Sequence, residues 1–325
     1  MHAAVLTAPG QLRSVQLPEP DCGPQDVLVR MRGLGLCGTD LAVYSGARIP
    51  PTGSWLMGHE GVGEIVAVGS QVHDRAVGDQ VAIEPNYCCG RCRACRAELT
   101  SSCQNRVVVG LNHPGLLAEY VSVPGRFTWP APPSIGIEDL VCVEPLTVAR
   151  AAIRRGSAAS TSRCLVVGAG SQGLLMVLAL RAMGARVYVQ EPHDGRAELA
   201  LALGARAAAE LGDAEIDVLF ETSGVPQALG AGLEHLAAGG TAVLVGISSR
   251  PVDLTTAALV YRQHTLLGSL IYDHPVDFPS TIRALARDEI RPGVVLQARY
   301  PFREAAEAFA SVAEVPGKAW ISFDD

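Results

Sequence analysis

The chain has 325 residues, 48% hydrophobic and 18% charged, which is enough for a sizeable core and more than one domain. A formal net charge of −7 argues against nucleic acid or an anionic membrane as the main partner. The opening segment MHAAVLTAPGQLRSVQ has no basic stretch leading into a long apolar run, and apolar stretches such as Gly173 to Leu180 are too short to span a bilayer, so neither a secretory signal nor a membrane span is expected. Nine cysteines in such a chain fit a reducing, cytoplasmic compartment, where clustered thiols more often bind metal or do redox chemistry than form disulfides. One lysine, Lys318, among 26 Lys and Arg residues, with abundant Ala and Gly, points to a GC-rich bacterial source.

Up to about residue 135 the pattern is one of short strands punctuated by Gly and Pro, the mark of a compact antiparallel fold. DVLVRMRGLGL, EGVGEIVAVG, DQVAIEP and AEYVSVP are the strand-like runs. Between them GLCGTD places Cys37 beside Thr39 and Asp40, and MGHEGVGEI places His59 and Glu60 at the start of a strand. Further on, CCGRCRACRAELTSSC spaces Cys89, Cys92, Cys95 and Cys103 as C-x2-C-x2-C-x7-C. Such short loops let four thiolates converge on one zinc, and four thiolates leave no position for substrate, so this site is expected to be structural. Arg91, Arg93 and Arg96 lie in the loop and offset the negative charge of a four-thiolate centre. Unliganded buried thiols fit poorly with so many Arg and Gly neighbours, and Cys88 is expected to be a bystander, since adjacent residues rarely reach one ion together.

VCVEPLTVA then carries Glu144, with Cys142 two residues before it. Taken singly, these residues have plain structural readings: Cys37 as a core thiol, His59 as a hydrogen-bonded turn histidine, Glu144-Pro145 as a helix start.

From about Arg163 strands alternate with helices, which predicts βαβ units and a parallel sheet. RCLVVGAG, RVYVQE, IDVLFETSG and TAVLVGI read as strands, and Leu174–Met183, Arg196–Leu203 and Gln227–Leu236 as helices. GAGSQG follows the first of these strands and opens a helix. Gly168, Gly170 and Gly173 provide the tight turn, close approach to a pyrophosphate and close helix packing, and with Gln172 they form the predicted dinucleotide loop. Glu191, at the end of the next strand, is placed to take the adenosine ribose hydroxyls and to repel a 2′-phosphate, favouring NAD over NADP; Arg196, five residues on, tempers that preference. After Gly268 the pattern is mixed, ending in a predicted helix (Phe302–Val312) and the strand KAWISF, so the second domain reads as inserted between two parts of the first.

Taken together, GLCGTD, GHEGVGEIVAVG, VGDQVAIEP, the four-cysteine lobe, AEYVSVP, VEPLTVA, GAGSQG, ETSG and the tail LGSLIY…DFPSTI…EAAEAFASV resemble the zinc-dependent medium-chain dehydrogenase/reductase family over nearly the whole chain. EPL in VEPLTVA resembles the polyol, sugar and threonine dehydrogenase branch. The resemblance implies an α/β protein: a GroES-like β-rich catalytic domain over 1–146 and 274–325, and a Rossmann domain with a doubly wound parallel sheet over 147–273. It implies a catalytic zinc held by Cys37, His59 and Glu144, with Glu60 close enough to exchange with water or a ligand and Cys142 as the rival to Glu144. With the structural ion that makes two zinc ions per chain. A thiolate, an imidazole and a carboxylate bring zinc near neutrality and leave a fourth position for a substrate oxygen. Thr39 would hydrogen-bond that oxygen and start a proton relay, and Asp40 would orient the loop or a ligand.

The implied activity is hydride transfer between NAD(H) and a secondary alcohol or ketone of a polyol, sugar, cyclitol or amino alcohol. The alternative, a non-catalytic cofactor-binding structural or regulatory protein on the same scaffold, is opposed by the intact Cys37, Thr39, His59, Glu60 and Glu144. A nucleic-acid zinc ribbon is opposed by the acidic charge. Two departures stand out. Many relatives carry a histidine where this chain has Ala42, leaving the outer proton path to water, the nicotinamide ribose or a group such as Tyr44. Sorbitol-type relatives carry an arginine where Ile271 precedes Tyr272, which tells against a linear polyol. Trp55, Asn112, His113 and Tyr272 remain open between pocket lining and packing. The resemblance also implies a homodimer or homotetramer through edge strands near Thr241–Ile247 and Thr265–Ser269.

Overall fold

A computed structural model describes residues 1–324. The chain divides into two compact units, Met1–Glu144 with His274–Asp325, and Pro145–Asp273. In chain order the first unit begins with β1 (His2–Ala8), β2 (Gln11–Gln16), β3 (Asp26–Gly35), the short helix α1 (Gly38–Tyr44), β4 (Trp55–Leu56), β5 (Glu60–Val68) and β6 (Gln80–Ile83). A lobe follows with β7 (Asn86–Tyr87), α2 (Arg93–Arg96) and β8 (Val107–Val108), then β9 (Tyr120–Pro124), β10 (Thr128–Pro130) and α3 (Ile137–Val141).

Helix α4 (Val143–Arg155) leads to β11 (Arg163–Val167), α5 (Ser171–Ala182), β12 (Arg186–Gln190), α6 (Asp194–Ala202), β13 (Arg206–Ala207), β14 (Ile216–Glu221), α7 (Pro226–Glu234), β15 (Leu236–Leu244), α8 (Thr256–Arg262) and β16 (Thr265–Gly268). The chain then returns through α9 (Asp277–Ala286), β17 (Leu296–Pro301), α10 (Ala305–Ser311) and β18 (Lys318–Ser322).

The second unit is a six-stranded parallel sheet in the order β13-β12-β11-β14-β15-β16. Strand order reverses between β11 and β14, the place where open α/β sheets leave a crevice beyond their carboxyl ends. Its strands are near-continuous apolar runs because both faces are covered: Leu165, Val167, Ile216, Leu219 and Ala242 are fully buried. Helix α5 is rich in Leu, Met and Ala, good helix formers, and buries every residue from Gly173 to Val177. One boundary differs from expectation. Leu236 opens β15 opposite Ile216 instead of ending the preceding helix, because its side chain fills the sheet core.

The first unit holds a seven-stranded sheet whose path is β10-β6-β5-β3-β18-β17, with β9 also paired to β3, and a three-stranded sheet β2-β1-β4. Pairing is antiparallel except for β17 with β18, which run parallel. The predicted helix near the C-terminus is shorter than its pattern, with Phe302–Glu304 and Val312–Glu314 as 3₁₀ turns flanking α10. Strand β18 is buried at every residue and lies between β3 and β17, so the returning segment sits inside the sheet rather than at its edge.

That return is fastened by a buried acid. Glu84, just after β6, is fully buried; its Oε2 accepts a hydrogen bond from Trp129 Nε1 at 2.6 Å and lies 2.9 Å from His274 Nδ1. Thr100 Oγ1 accepts from the His274 backbone N–H at 2.7 Å, and Phe127 packs on the imidazole with ring centroids 4.7 Å apart. Replacing Glu84 with Ala removes the acceptor of two part-buried donors and is expected to cost about 2 kcal/mol of unfolding free energy. The measurement is the urea midpoint of the unit that contains it; an unchanged midpoint would show that the acid is structurally dispensable.

Candidate functional site

The register of β3 and β5 builds the first site. Gly35 at the end of β3 pairs with Glu60 at the start of β5, so Cys37 and His59 fall just beyond the paired ends of two adjacent strands. Cys37 caps α1 with extended backbone (φ −110°, ψ 151°), which turns its side chain off the strand direction. A sulfur of Cys37, a ring nitrogen of His59 and a carboxylate oxygen of Glu60 lie within 4.8 Å of one another. A soft thiolate, an imidazole and a carboxylate at this separation are a donor set that suits zinc.

Asp40 holds the arrangement. Its carboxylate is fully buried and accepts from the backbone N–H groups of Cys37 and Gly58, each at 3.3 Å; Oδ1 also lies 3.0 Å from His59 Nδ1. Nδ1 is thereby the protonated nitrogen and Nε2 is left to act as a ligand. Burial alone would lower the imidazole pKa, but the Asp40 carboxylate, by charge and hydrogen bond, outweighs it and raises it well above the usual histidine value.

Glu144 stands in the first turn of α4, buried, and lies outside the set of three donors that converge. Cys142 is completely buried, and desolvation pushes its thiol pKa well up. Glu60 is 1% exposed and forms an ion pair with Lys318 Nζ, which also donates to the Leu36 carbonyl at 3.1 Å. Burial works against the ammonium, yet Glu60, Cys37 and Cys142 together raise its pKa. Lys318 escaped the motif reading; its one visible signal was being the only lysine in the chain.

The cysteine lobe forms a second cluster. Cys89, Cys92, Cys95 and Cys103 bring their sulfurs within 4.8 Å of one another, and the separations Cys92–Cys95, Cys92–Cys103 and Cys89–Cys95 are 3.5, 3.9 and 4.0 Å. Four sulfurs about 2.3 Å from a zinc at tetrahedral angles stand about 3.8 Å apart, so the lobe fits that ion closely. Backbone N–H groups of Arg91 and Cys92 lower the Cys89 pKa, whereas desolvation and neighbouring thiols raise that of Cys95. Cys88 is buried with Phe127 beneath the cluster and takes no part in it. Arg91, Arg93 and Arg96 are exposed around it, and Arg96 Nη1 donates to the Arg91 carbonyl at 2.7 Å.

The third site is the loop after β11. Gly168 has φ +91°, and a Cβ at Gly173 would run into the Gly168 carbonyl, so both positions require glycine. A Cβ at Gly170 would meet nothing within 4 Å, leaving the loop open over the N-terminus of α5. Thr222 Oγ1 donates to the Val167 and Gly168 carbonyls at 3.0 and 2.9 Å, tying the loops on either side of the strand-order reversal. Glu191, one residue past β12, accepts from Ala169 N at 2.6 Å and His193 N at 2.9 Å, which fixes a carboxylate against the loop. Gln172 turns its amide to the Pro145 carbonyl at 3.1 Å, and Arg196 sits half-buried in the first turn of α6. This cradle suits a pyrophosphate-linked dinucleotide.

The residues left open resolve mostly as packing. Trp55 donates its indole N–H to Gly110 O at 2.7 Å inside the core, and Asn112 bridges Val108 N and Arg106 O within a turn. Tyr44 donates to Gly10 O at 3.1 Å and packs on Phe309, which engages its hydroxyl away from a relay. Tyr272 is 2% exposed, and His113 is exposed with Nδ1 3.0 Å from Pro114 O. Thr39 is half-buried on the first turn of α1, and Ala42 lies on the same helix.

Comparison with known proteins accords with this geometry. Residues 23–133 match the alcohol dehydrogenase GroES-like domain and residues 173–287 the zinc-binding dehydrogenase domain. The chain is 35% identical over 291 residues to an L-threonine 3-dehydrogenase of Pyrococcus horikoshii, covering 82% of each protein. It is 30% identical to an L-galactonate-5-dehydrogenase of Escherichia coli K12, covering 95% of this chain and 94% of that protein. The crystal structure of an alcohol dehydrogenase from Escherichia coli CFT073 complexed with NADH superposes with a TM-score of 0.93 at 26% identity, covering 99% of both chains. Among the described residues, no helix is long and apolar enough to cross a membrane.

Metal analysis of the purified protein is expected to find two zinc ions per chain. Cys37→Ser should remove one and leave the ion of the cysteine lobe, and an unchanged metal content would count against the Cys37–His59 site.

Proposed function

The chain belongs to the zinc-type medium-chain alcohol dehydrogenase family, and we propose that it transfers hydride between NAD(H) and a secondary alcohol or ketone of a polyol, sugar, cyclitol or amino alcohol. The observation that carries this reading is the convergence of Cys37, His59 and Glu60 at the paired ends of β3 and β5. It also disfavours the non-catalytic alternative, which has no use for such a donor set.

Cys37 and His59 would be the constant pair of metal ligands, completed by the carboxylate of Glu144, with Glu60 as an exchangeable neighbour. Zinc held there would polarise a substrate oxygen as a Lewis acid, and NAD would take up or return the hydride. The chain's own groups do the rest. Asp40 keeps His59 in one tautomer and one orientation. Thr39, two residues from Cys37, offers a hydroxyl to the substrate oxygen and passes its proton outward. Ala42 cannot accept that proton, so the path beyond Thr39 runs through water or the nicotinamide ribose. The cysteine lobe, with its four sulfurs within 4.8 Å of one another, would hold the second zinc and stabilise its loop.

Glu191 supports NAD over NADP, because a carboxylate fixed beside the loop accepts from ribose hydroxyls and repels a 2′-phosphate. The threonine and galactonate relatives support a polyfunctional secondary alcohol as the substrate class. Strand β16 ends the six-stranded sheet, with Ile247 and Leu270 exposed nearby, which supports a homodimer or homotetramer through that edge. A cytoplasmic location belongs to the same proposal and rests on the use of cysteines as metal ligands.

The test is NADH formation at 340 nm against a panel of polyols, cyclitols, sugar acids and amino alcohols; silence across the panel with tight NAD binding would favour a non-catalytic role. Separately, Glu191→Ala is expected to weaken NAD about tenfold while changing NADP little. Equal losses for both cofactors, read by fluorescence titration, would refute the ribose assignment.

A further inference from the structure

Lys318 is the single lysine of the chain, is 1% exposed, and lies at the metal-site end of a strand that has crossed back from the far end of the sequence. Its ammonium donates to the carbonyl of Leu36, the residue before Cys37, and pairs with Oε2 of Glu60. Space for this contact is made by Gly35, where a Cβ would collide with the Glu60 carboxylate and come within 2.9 Å of Lys318 Cε. Three residues on three neighbouring strands, β3, β5 and β18, are thus fitted around one buried ion pair. Every other basic position among the 26 Lys and Arg is arginine, yet a guanidinium has a wider planar head and five donors to satisfy, which this closed space does not suit.

Glu60 therefore stands between two cationic claims. One is the ammonium it already touches; the other is a metal held by Cys37 and His59, whose ligand atoms lie within 4.8 Å of a Glu60 carboxylate oxygen. We propose that Lys318 is a positioning residue that holds Glu60 by one oxygen and keeps it from becoming a permanent metal ligand. The proposal rests on the reading of Cys37 and His59 as a metal site. Charge counting gives the reason. A divalent ion is neutralised by the Cys37 thiolate and one further carboxylate, and Lys318 neutralises Glu60, so no net charge drives Glu60 onto the metal. Without Lys318 the buried Glu60 loses its counter-ion, and the metal becomes the nearest cation in a low-dielectric surround. Glu60 then occupies the position a substrate oxygen needs. The contact with Leu36 O fixes the same ammonium to the backbone that leads into Cys37, so the restraint is anchored to the ligand it protects.

The experiment uses full-length protein with zinc in the cysteine lobe and Co(II) at the Cys37–His59 site. Wild type, K318M, E60Q and K318M/E60Q are compared by the visible Co(II) absorption spectrum, by Co(II) release to excess EDTA, and by kcat and KM. In K318M the Glu60 carboxylate takes the fourth position, so the Co(II) d–d bands should shift from their wild-type wavelengths while keeping the intensity of a four-coordinate ion. Co(II) release should slow about tenfold and kcat/KM fall by a similar factor. In K318M/E60Q the spectrum and release rate should match those of E60Q alone, because the residue being restrained is gone. A K318M protein with the wild-type spectrum and release rate would overturn the proposal, as would a K318M effect that persists unchanged in the E60Q background. K318Q, which keeps a hydrogen-bond donor but not the charge, is judged by the same two criteria if K318M does not fold. Failure of the underlying metal-site reading has a different signature: wild type and Cys37→Ser would then take up the same amount of Co(II).

Discussion

One buried carboxylate, that of Asp40, turns three separate chain positions into a single rigid corner. It accepts from the backbone of Cys37, the backbone of Gly58 and, at 3.0 Å, the ring of His59. A buried carboxylate left with fewer donors would be costly, so these bonds specify the local fold as well as satisfy the acid. Helix α1 starts where it does because the same side chain reaches back to the N–H of its own cap residue, Cys37. His59 is presented with Nδ1 engaged by Asp40, so Nε2 is the nitrogen available to the proposed metal site. The relative placement of Cys37 and His59, more than twenty residues apart in sequence, therefore depends on a third residue, Asp40.

The two cysteine-bearing sites differ in the way their parts are brought together. The four-cysteine lobe closes within a single loop between Cys89 and Cys103, so spacing alone exposed it. The Cys37 site is assembled by strand register, with Gly35 opposite Glu60, and by a side chain arriving from the last strand. Register is a property of paired strands and is not written in either segment separately. Cys37, His59 and Glu60 each had a plain structural reading alone, and only the family resemblance joined them, with Asp40 as an orienting group. Lys318 was visible only as an oddity of composition, since nothing local in GKAWISF indicates that its ammonium meets Glu60.

The parallel sheet was legible for the opposite reason. Each βα unit carries its own apolar strand, turn and helix, so periodicity located β11, β12, β14, α5, α6 and α7 within a few residues, together with the end of β15, whereas β13 and α8 went unmarked and α4 was marked only by a helix start at Glu144-Pro145. Errors came at ends decided by tertiary contact. Leu236 satisfies a helical pattern, yet its side chain completes the sheet core against Ile216 and Leu219. Trp55, Asn112 and Tyr44 could not be separated from pocket residues by type, and each is explained by a hydrogen bond to a distant or turn-forming backbone group. The Glu84–His274 contact was equally hidden, because its partners are 190 residues apart.

Chain order adds a further constraint. The sheet that carries Cys37 and Glu60 is completed by β18, which inserts between β3 and β17 after the whole second unit has been made. Long-range strand pairing of this kind forms slowly, since the loop must be closed before its contacts contribute. Until β18 is seated, β3 lacks a neighbour, Glu60 lacks its cation and the Leu36 carbonyl lacks its donor. The corner made by Asp40, Cys37, Gly58 and His59 uses contacts spanning only about twenty residues of sequence and none from β18. The buried charge beside it is balanced only when the last strand arrives. A lysine on that strand thus couples completion of the sheet to the electrostatic state of the site, and the same side chain serves the core of the unit and the chemistry at its edge.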